Sequence, residues 1–231
     1  MEFQEHKVLM LCESGSKAYG LNHANSDVDT RGVFMNTRAE LMGFKSCNTI
    51  ETPDDTKLFS LRRFCELAMK GHSGTLELLG LEPELYQYKT DIWDKLVENQ
   101  ELFLSQRLKL MAMGNEKTQE KEIAKKLALN DYYRAGKYMS HVFRIYDFAI
   151  RSAETRRFVA KPPKEAIDFF MEVKNGLYVV DGQVSPNYEK MLDFYRKKCD
   201  ETFERVKLPE NCDLQHVEGL LIKLTERGLY R

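Results

Sequence analysis

An apolar run, Val8-Leu9-Met10-Leu11-Cys12, stops at Gly15-Ser16. After a short spacer comes a second strand-like run, Asp27-Val28-Asp29-Thr30-Arg31-Gly32-Val33-Phe34, with aspartates at alternate positions. The first run reads as a buried strand. The small residues that end it let backbone N–H groups approach a ligand closely, which suits phosphate oxygens. On the second strand, positions i and i+2 share a face, so Asp27 and Asp29 point one way and Val28 turns to the core. Two carboxylates on one face repel and raise each other's pKa unless a cation lies between them. Oxygen ligands beside substrate phosphates are the usual setting of Mg²⁺.

These parts suit in-line attack by a hydroxyl on the α-phosphate of a nucleoside triphosphate. Two metal ions, Mg²⁺ or Mn²⁺, would be held by Asp27, Asp29 and a third carboxylate, while Gly15 and Ser16 cradle the β- and γ-phosphates. The third carboxylate is expected from Asp54 or Asp55, just before the apolar segment Leu58-Phe59-Ser60-Leu61. Neighbours on a strand face opposite sides, so only one of the pair can join the site.

Gly15-Ser16 followed by Asp27-Val28-Asp29 resembles the signature of the DNA polymerase β-type nucleotidyltransferase superfamily: a glycine, then Ser or Gly, a spacer, and Asp-x-Asp or Asp-x-Glu. The stretches Glu13-Ser14-Gly15-Ser16-Lys17-Ala18-Tyr19-Gly20-Leu21 and Ser26 to Phe34 are similar to a bacterial and phage branch of predicted nucleotidyltransferases. In that branch an Asp precedes aromatic-x-Leu-Arg-Lys-Phe, then Leu-Ala-x-Lys-Gly-Asn-Pro and Leu-Glu-Leu-Leu. Here the corresponding stretch runs from Asp55 through Phe59-Ser60-Leu61-Arg62-Arg63-Phe64, Leu67-Ala68-Met69-Lys70-Gly71-His72-Ser73 and Leu76-Glu77-Leu78-Leu79. The resemblance therefore implies Asp55 as the third catalytic and metal-binding carboxylate, beside Asp27 and Asp29. Weaker echoes lie in Lys137, His141 and Arg144, in Lys174-Asn175-Gly176 and in Leu208-Pro209. His72-Ser73 in place of Asn-Pro, and Arg63 in place of Lys, are departures that bear on substrate preference more than on the chemistry.

Composition narrows the setting. With 35 basic against 36 acidic side chains among 231 residues, strong nonspecific DNA binding is not expected. No segment approaches the roughly 20 apolar residues of a membrane span, and the first residues lack the pattern of a signal peptide, so a cytoplasmic protein is expected. Cys12, Cys47, Cys65, Cys199 and Cys212 are scattered without a C-x-x-C pair and imply neither a disulfide framework nor a zinc site.

Strand-like segments occupy the first sixty or so residues, and helical periodicity follows. Apolar residues at 61, 64, 65 and 68 share one helix face, Gly71 is a candidate C-cap, and Ser73-Gly74 can open a second helix through Gly80. Long helices are expected near 118–150, 163–174, 186–206 and 213–227, forming a bundle. The charged stretch 114–122 marks a domain boundary or an exposed helix. Along the helix near 130–150, Arg134, Lys137, His141 and Arg144 form a basic stripe suited to a triphosphate. The near-zero net charge leaves room for tRNA to approach a local basic patch such as Arg151, Arg156, Arg157, Lys161 and Lys164. Glu77 is expected to pair with Arg62 or Lys70, Arg31 to bind phosphate or to neutralise the aspartates, and Trp93 to lie in the core.

The expected fold is α/β: a nucleotidyltransferase domain over 1–113, built on a mixed sheet with flanking helices, and a helical domain over 114–231 that closes the active-site cleft. The expected activity is metal-dependent transfer of a nucleoside monophosphate from an NTP to a hydroxyl of RNA, protein or a small molecule, releasing pyrophosphate. A non-catalytic nucleotide-binding regulatory or antitoxin-like module is the alternative.

Overall fold

The computed structural model describes residues 1–22 and 29–229. The sheet is assembled from β1 (Glu2–Phe3), β2 (His6–Ser14), β3 (Asp29–Met35), β4 (Thr49–Glu51), β5 (Thr56–Ser60) and β6 (Tyr86–Lys89). Its order is β1-β2-β3-β5-β4, with β6 pairing β2, and it is mixed: β3 and β5 run parallel while the other pairings are antiparallel. Val8, Leu9 and Met10 are consecutive and fully buried, so both faces of β2 are covered, as an uninterrupted apolar run requires. Val8, Phe34, Ile50 and Leu58 form the core on one side.

Between the strands lie α1 (Arg38–Met42), α2 (Leu61–Met69), α3 (Ser73–Leu76) and α4 (Asp91–Glu98). Ser60 ends β5 and caps α2 by accepting from the Arg63 amide, so the helix begins at Leu61. The face predicted for that helix, Leu61, Phe64, Cys65 and Ala68, is the buried one. The helix closes through Gly71, at φ +77°: its amide donates to the Ala68 carbonyl and that of His72 to the Leu67 carbonyl, a Schellman cap. Trp93, in α4, sits edge-on to Phe64 with ring centroids 5.3 Å apart and is core as expected. The strand β6 was not expected; Tyr-Gln-Tyr-Lys is too short and polar to announce itself.

The second compact unit spans Leu104–Glu210 and contains α5 (Arg107–Ala128), α6 (Tyr132–Thr155), α7 (Lys164–Lys174), the hairpin β7 (Val179–Val180) and β8 (Gln183–Val184), and α8 (Pro186–Val206). Its two ends are joined where the Gln106 amide donates to the Pro209 carbonyl at 2.8 Å. The helix expected near 118–150 is two helices. Asn130 takes a positive φ of 55°, and Asp131 caps α6 by accepting from the Arg134 amide. The charged stretch 114–122 lies inside α5, so the boundary placed at 113/114 falls within a continuous helix.

The chain then returns to the first unit, which comprises Met1–Phe103 with Asn211–Arg231. There α9 (Leu214–Leu229) packs on α4 and α2, Arg227 pairs with Asp91, and a side chain at Gly228 would strike Met35. The last helix, assigned to the bundle by sequence, thus serves the sheet unit. Among the described residues no helix is long and apolar enough to cross a membrane.

Candidate active site

β2 ends at Ser14, and Gly15 turns at φ +65° into a short 3-10 turn, Gly15–Lys17. Ser14 lies opposite Asp29 in the antiparallel register, and its hydroxyl donates to the Asp29 carbonyl at 3.2 Å. The Asp29 carboxylate packs against Gly15 so closely that a Cβ there would overlap it. The glycine is required twice, for its left-handed backbone and for the space the carboxylate fills. Ser16 lies in the same turn, half-buried, and its carbonyl accepts from the Leu21 amide at 2.9 Å.

Asp27, with His23 and Val28, lies outside the described residues. Asp29 opens β3, and parallel pairing of Thr30 with Thr56 sets Asp55 beside it at the start of β5. Arg31 links the two. Its guanidinium lies 3.4 Å from Asp29 Oδ1 and 3.7 Å from Asp55 Oδ1, and it donates to the Asp55 carbonyl at 2.6 Å. The cation between these carboxylates is therefore supplied by the strand itself, the neutralising one of the two roles expected for Arg31.

Asp54 and Asp55 sit in the turn before β5, not on the strand, and they separate by bonding rather than by face. Asp54 accepts from the Thr52 and Thr56 hydroxyls, and these hydrogen bonds hold its carboxyl below the usual range. Asp55 takes φ +60° and turns its carboxylate, 69% exposed, toward Arg31.

Glu77 is 3% exposed and accepts from the Tyr19 hydroxyl at 2.6 Å, fastening the end of the Gly15–Gly20 turn to the helical layer. This partner was not expected; of the two cations proposed for Glu77, Arg62 pairs with Glu66 at 3.1 Å. His72 precedes α3, and burial holds its pKa below the ordinary histidine value, with Lys57 and Arg63 adding to the effect against the pull of Glu77.

In the helical unit the stripe on α6 is not a uniform basic face. Arg134 and Lys137 are exposed, Arg134 pairing with Asp131, while Arg144 is only 4% exposed. Burial first, then Arg144 and Lys137, push the His141 pKa down to about 3, so its ring is neutral and its Nδ1 accepts from Arg144 Nη2 at 3.1 Å. The structure adds Lys174, at the end of α7. It is 6% exposed, and burial and Lys137 both lower its pKa. Gly136 lets α6 and α7 approach there, since a Cβ would meet the Lys174 carbonyl at 2.6 Å. A lysine ending a helix ordinarily reads as solvated, so its burial had no signal in the sequence. Of the patch expected for RNA, Arg151 is engaged with Asp147 and the Val159 carbonyl, whereas Arg156, Arg157, Lys161 and Lys164 are exposed.

A family model described as RlaP, RNA repair pathway DNA polymerase beta family, matches residues 1–165. That span holds the whole Gly15–Asp29 block, Asp55 and the α6 residues. No curated protein and no solved structure matches the chain.

Proposed function

The chain belongs to the RNA repair pathway DNA polymerase beta family, a nucleotidyltransferase family, and from that premise we propose that it transfers a nucleoside monophosphate from an NTP to a hydroxyl at an RNA end. The observation that carries this reading is the Asp29 carboxylate seated on the Gly15 turn, with Asp55 in the turn that leads into the adjacent parallel strand and linked to Asp29 through Arg31. The acceptor oxygen attacks the α-phosphorus, the bond to the β-phosphate oxygen breaks, and pyrophosphate leaves. Asp55, whose side chain is 69% exposed, takes the hydroxyl proton.

The donor set fits Mg²⁺ or Mn²⁺. Asp29 and Asp55 offer hard carboxylate oxygens, and the contacts of 3.4 and 3.7 Å to Arg31 are loose enough to exchange. Asp27 is assigned to the same set from its place in the motif. Two such ions, when bound, supply neutralisation of the phosphate charge and acidify the acceptor hydroxyl. Gly15 and Ser16 are assigned to the triphosphate, and so, from their place in the sequence, are Lys137, His141 and Arg144. The RNA acceptor rests on the family description, and the choice among ATP, GTP, CTP and UTP is left to experiment.

The test is transfer of α-labelled ATP, GTP, CTP and UTP, each with Mg²⁺ or Mn²⁺, to total RNA, to cell protein and to the enzyme itself, with Asp27→Asn/Asp29→Asn as control. Label on RNA that depends on the two aspartates supports the reading. Aspartate-dependent label on protein alone overturns the acceptor, and the absence of label with NTP binding retained overturns the activity in favour of a regulatory module.

A further inference from the structure

Away from the proposed active site, three donors from separate segments of the first unit converge. His6 opens β2, Glu40 lies in α1, and Cys47 lies in the segment between α1 and β4. Each brings one ligand-capable atom, and these atoms all lie within 4.8 Å of one another. His6 Nε2 is 3.0 Å from Glu40 Oε2, and the Cys47 amide donates to Glu40 Oε1 at 3.1 Å. The Cys47 thiol makes only a long contact, 3.7 Å to the Thr49 carbonyl. Hydrogen bonding does not account for this arrangement in full. His6 is 4% exposed, its ring lies against Phe34, and its Nδ1 is buried without a partner.

The donor chemistry is selective. Imidazole nitrogen, carboxylate oxygen and thiolate sulfur form a borderline-soft set that suits Zn²⁺ and does not suit Mg²⁺. Bonds of about 2.0–2.3 Å in a tetrahedron place donors roughly 3.3–3.7 Å apart, so the cluster needs to contract by at most about 1.5 Å. The carboxylate is already oriented from behind: Asn36 Nδ2 and the Thr37 amide donate to Glu40 Oε2 at 3.2 and 3.0 Å.

We propose that His6, Glu40 and Cys47 form a zinc site, with water in the fourth position, that fastens the segment 43–48 onto the start of β2. Binding sends the Cys47 thiol proton to solvent and takes a lone pair from neutral His6. The three donors are far apart in sequence, so cysteine spacing could not announce them. They lie outside the carboxylates assigned to nucleotidyl transfer, and the role proposed for the ion is to hold the segment in place. Its effect is to tether a segment that exposes Phe44 fully, next to exposed Met42.

The experiment strips the full-length protein with EDTA and titrates it with Zn²⁺ alone, then with Co²⁺ as a spectroscopic probe. One Zn²⁺ per chain should bind with an affinity reduced at least tenfold in Cys47→Ser, and Co²⁺ should give a thiolate charge-transfer band that this variant lacks. Zn²⁺ should also protect Cys47 from alkylation while Cys212, the other half-buried thiol, keeps its rate. Because Cys47 is half-buried and His6 is core, alkylation of the unaltered protein keeps the test independent of how well any variant folds. No Zn²⁺ binding, binding that Cys47→Ser leaves unchanged, or alkylation of Cys47 indifferent to Zn²⁺ would overturn the site and leave His6–Glu40 as a hydrogen-bonded anchor only.

Discussion

Two clusters of charge, one in each compact unit, are built on opposite principles. Where β3 and β5 begin, Asp29 and Asp55 share the single guanidinium of Arg31 through contacts of 3.4 and 3.7 Å, with Asp55 largely in solvent. Inside the helical unit, Glu116 of α5 is 8% exposed and tightly bonded: Arg196 of α8 donates to it from two nitrogens, the shortest contact being 2.7 Å, and the Tyr146 hydroxyl of α6 donates at 2.5 Å. Burial, with Glu116 beside it, raises the Tyr146 hydroxyl's pKa. The saturated cluster has no capacity left for a ligand and ties three helices together. The loose one holds its carboxylates with a cation that can be exchanged for another at little cost. A charge network that completes itself is architecture, and one that stays incomplete is available for chemistry.

The loose cluster is most sensitive at Asp29. On the proposed mechanism Asp29→Asn should lower nucleotidyl transfer by about 10³–10⁵-fold, about 4–7 kcal/mol of transition-state stabilisation, while the thermal midpoint stays within a degree or two. Single-turnover rates and a melting curve on the same preparation measure both. A variant that melts early would make Asp29 a structural residue.

Glu116→Ala should do the reverse. Removing it leaves Arg196 without its main partner and Tyr146 with a buried hydroxyl, a loss of about 2–4 kcal/mol, at the lower end of values for buried pairs because Arg196 is 35% exposed. Urea unfolding followed by amide exchange in α5, α6 and α8 measures it. The rate per folded molecule should hold at a temperature where the variant is native.

These clusters also mark how far the sequence could be read. The turn at Gly15 and the strand that Asp29 opens were legible because turn chemistry and strand periodicity are local rules, and the buried face of α2 was legible for the same reason; Asp55 was set apart from Asp54 only by the family resemblance. The partner of Glu77, the burial of Arg144 and Lys174, and the break between α5 and α6 were not. Each depends on which distant segment packs alongside, and composition carries no trace of that. Charge state was the least visible property. His141 counts as basic in a sequence, yet burial beside Arg144 strips its charge. The return of α9 to the first unit was hidden too, since a helix's amphipathic pattern does not say which core it covers.

Gly15→Ala sharpens the comparison at intermediate scale. The methyl group would have to displace the Asp29 carboxylate while occupying φ +65°, so transfer should fall about 10–100-fold, roughly 1.4–2.7 kcal/mol, with a smaller change in stability. Metal titration should show weaker Mg²⁺ dependence in parallel, because a carboxylate moved off the turn holds an ion less well. Unchanged activity would mean that the close packing of glycine and aspartate is incidental.

The smallest effect is expected one residue from a large one. Asp54 is turned onto the Thr52 and Thr56 hydroxyls, one to each of its oxygens; in Asp54→Asn the amide oxygen keeps one of these bonds and the NH2 group can donate to the other hydroxyl, so transfer should change by less than about threefold. Asp55→Asn removes a carboxylate that faces Arg31 at the edge beside Asp29, and should cost at least about tenfold more than its neighbour. Measuring both variants at saturating and limiting Mg²⁺ separates a metal ligand from a turn residue: loss that excess Mg²⁺ partly restores identifies the ligand. If Asp54→Asn carries the metal-dependent loss and Asp55→Asn does not, the third carboxylate is Asp54. The incomplete cluster would then extend through the turn rather than across the parallel pair of strands.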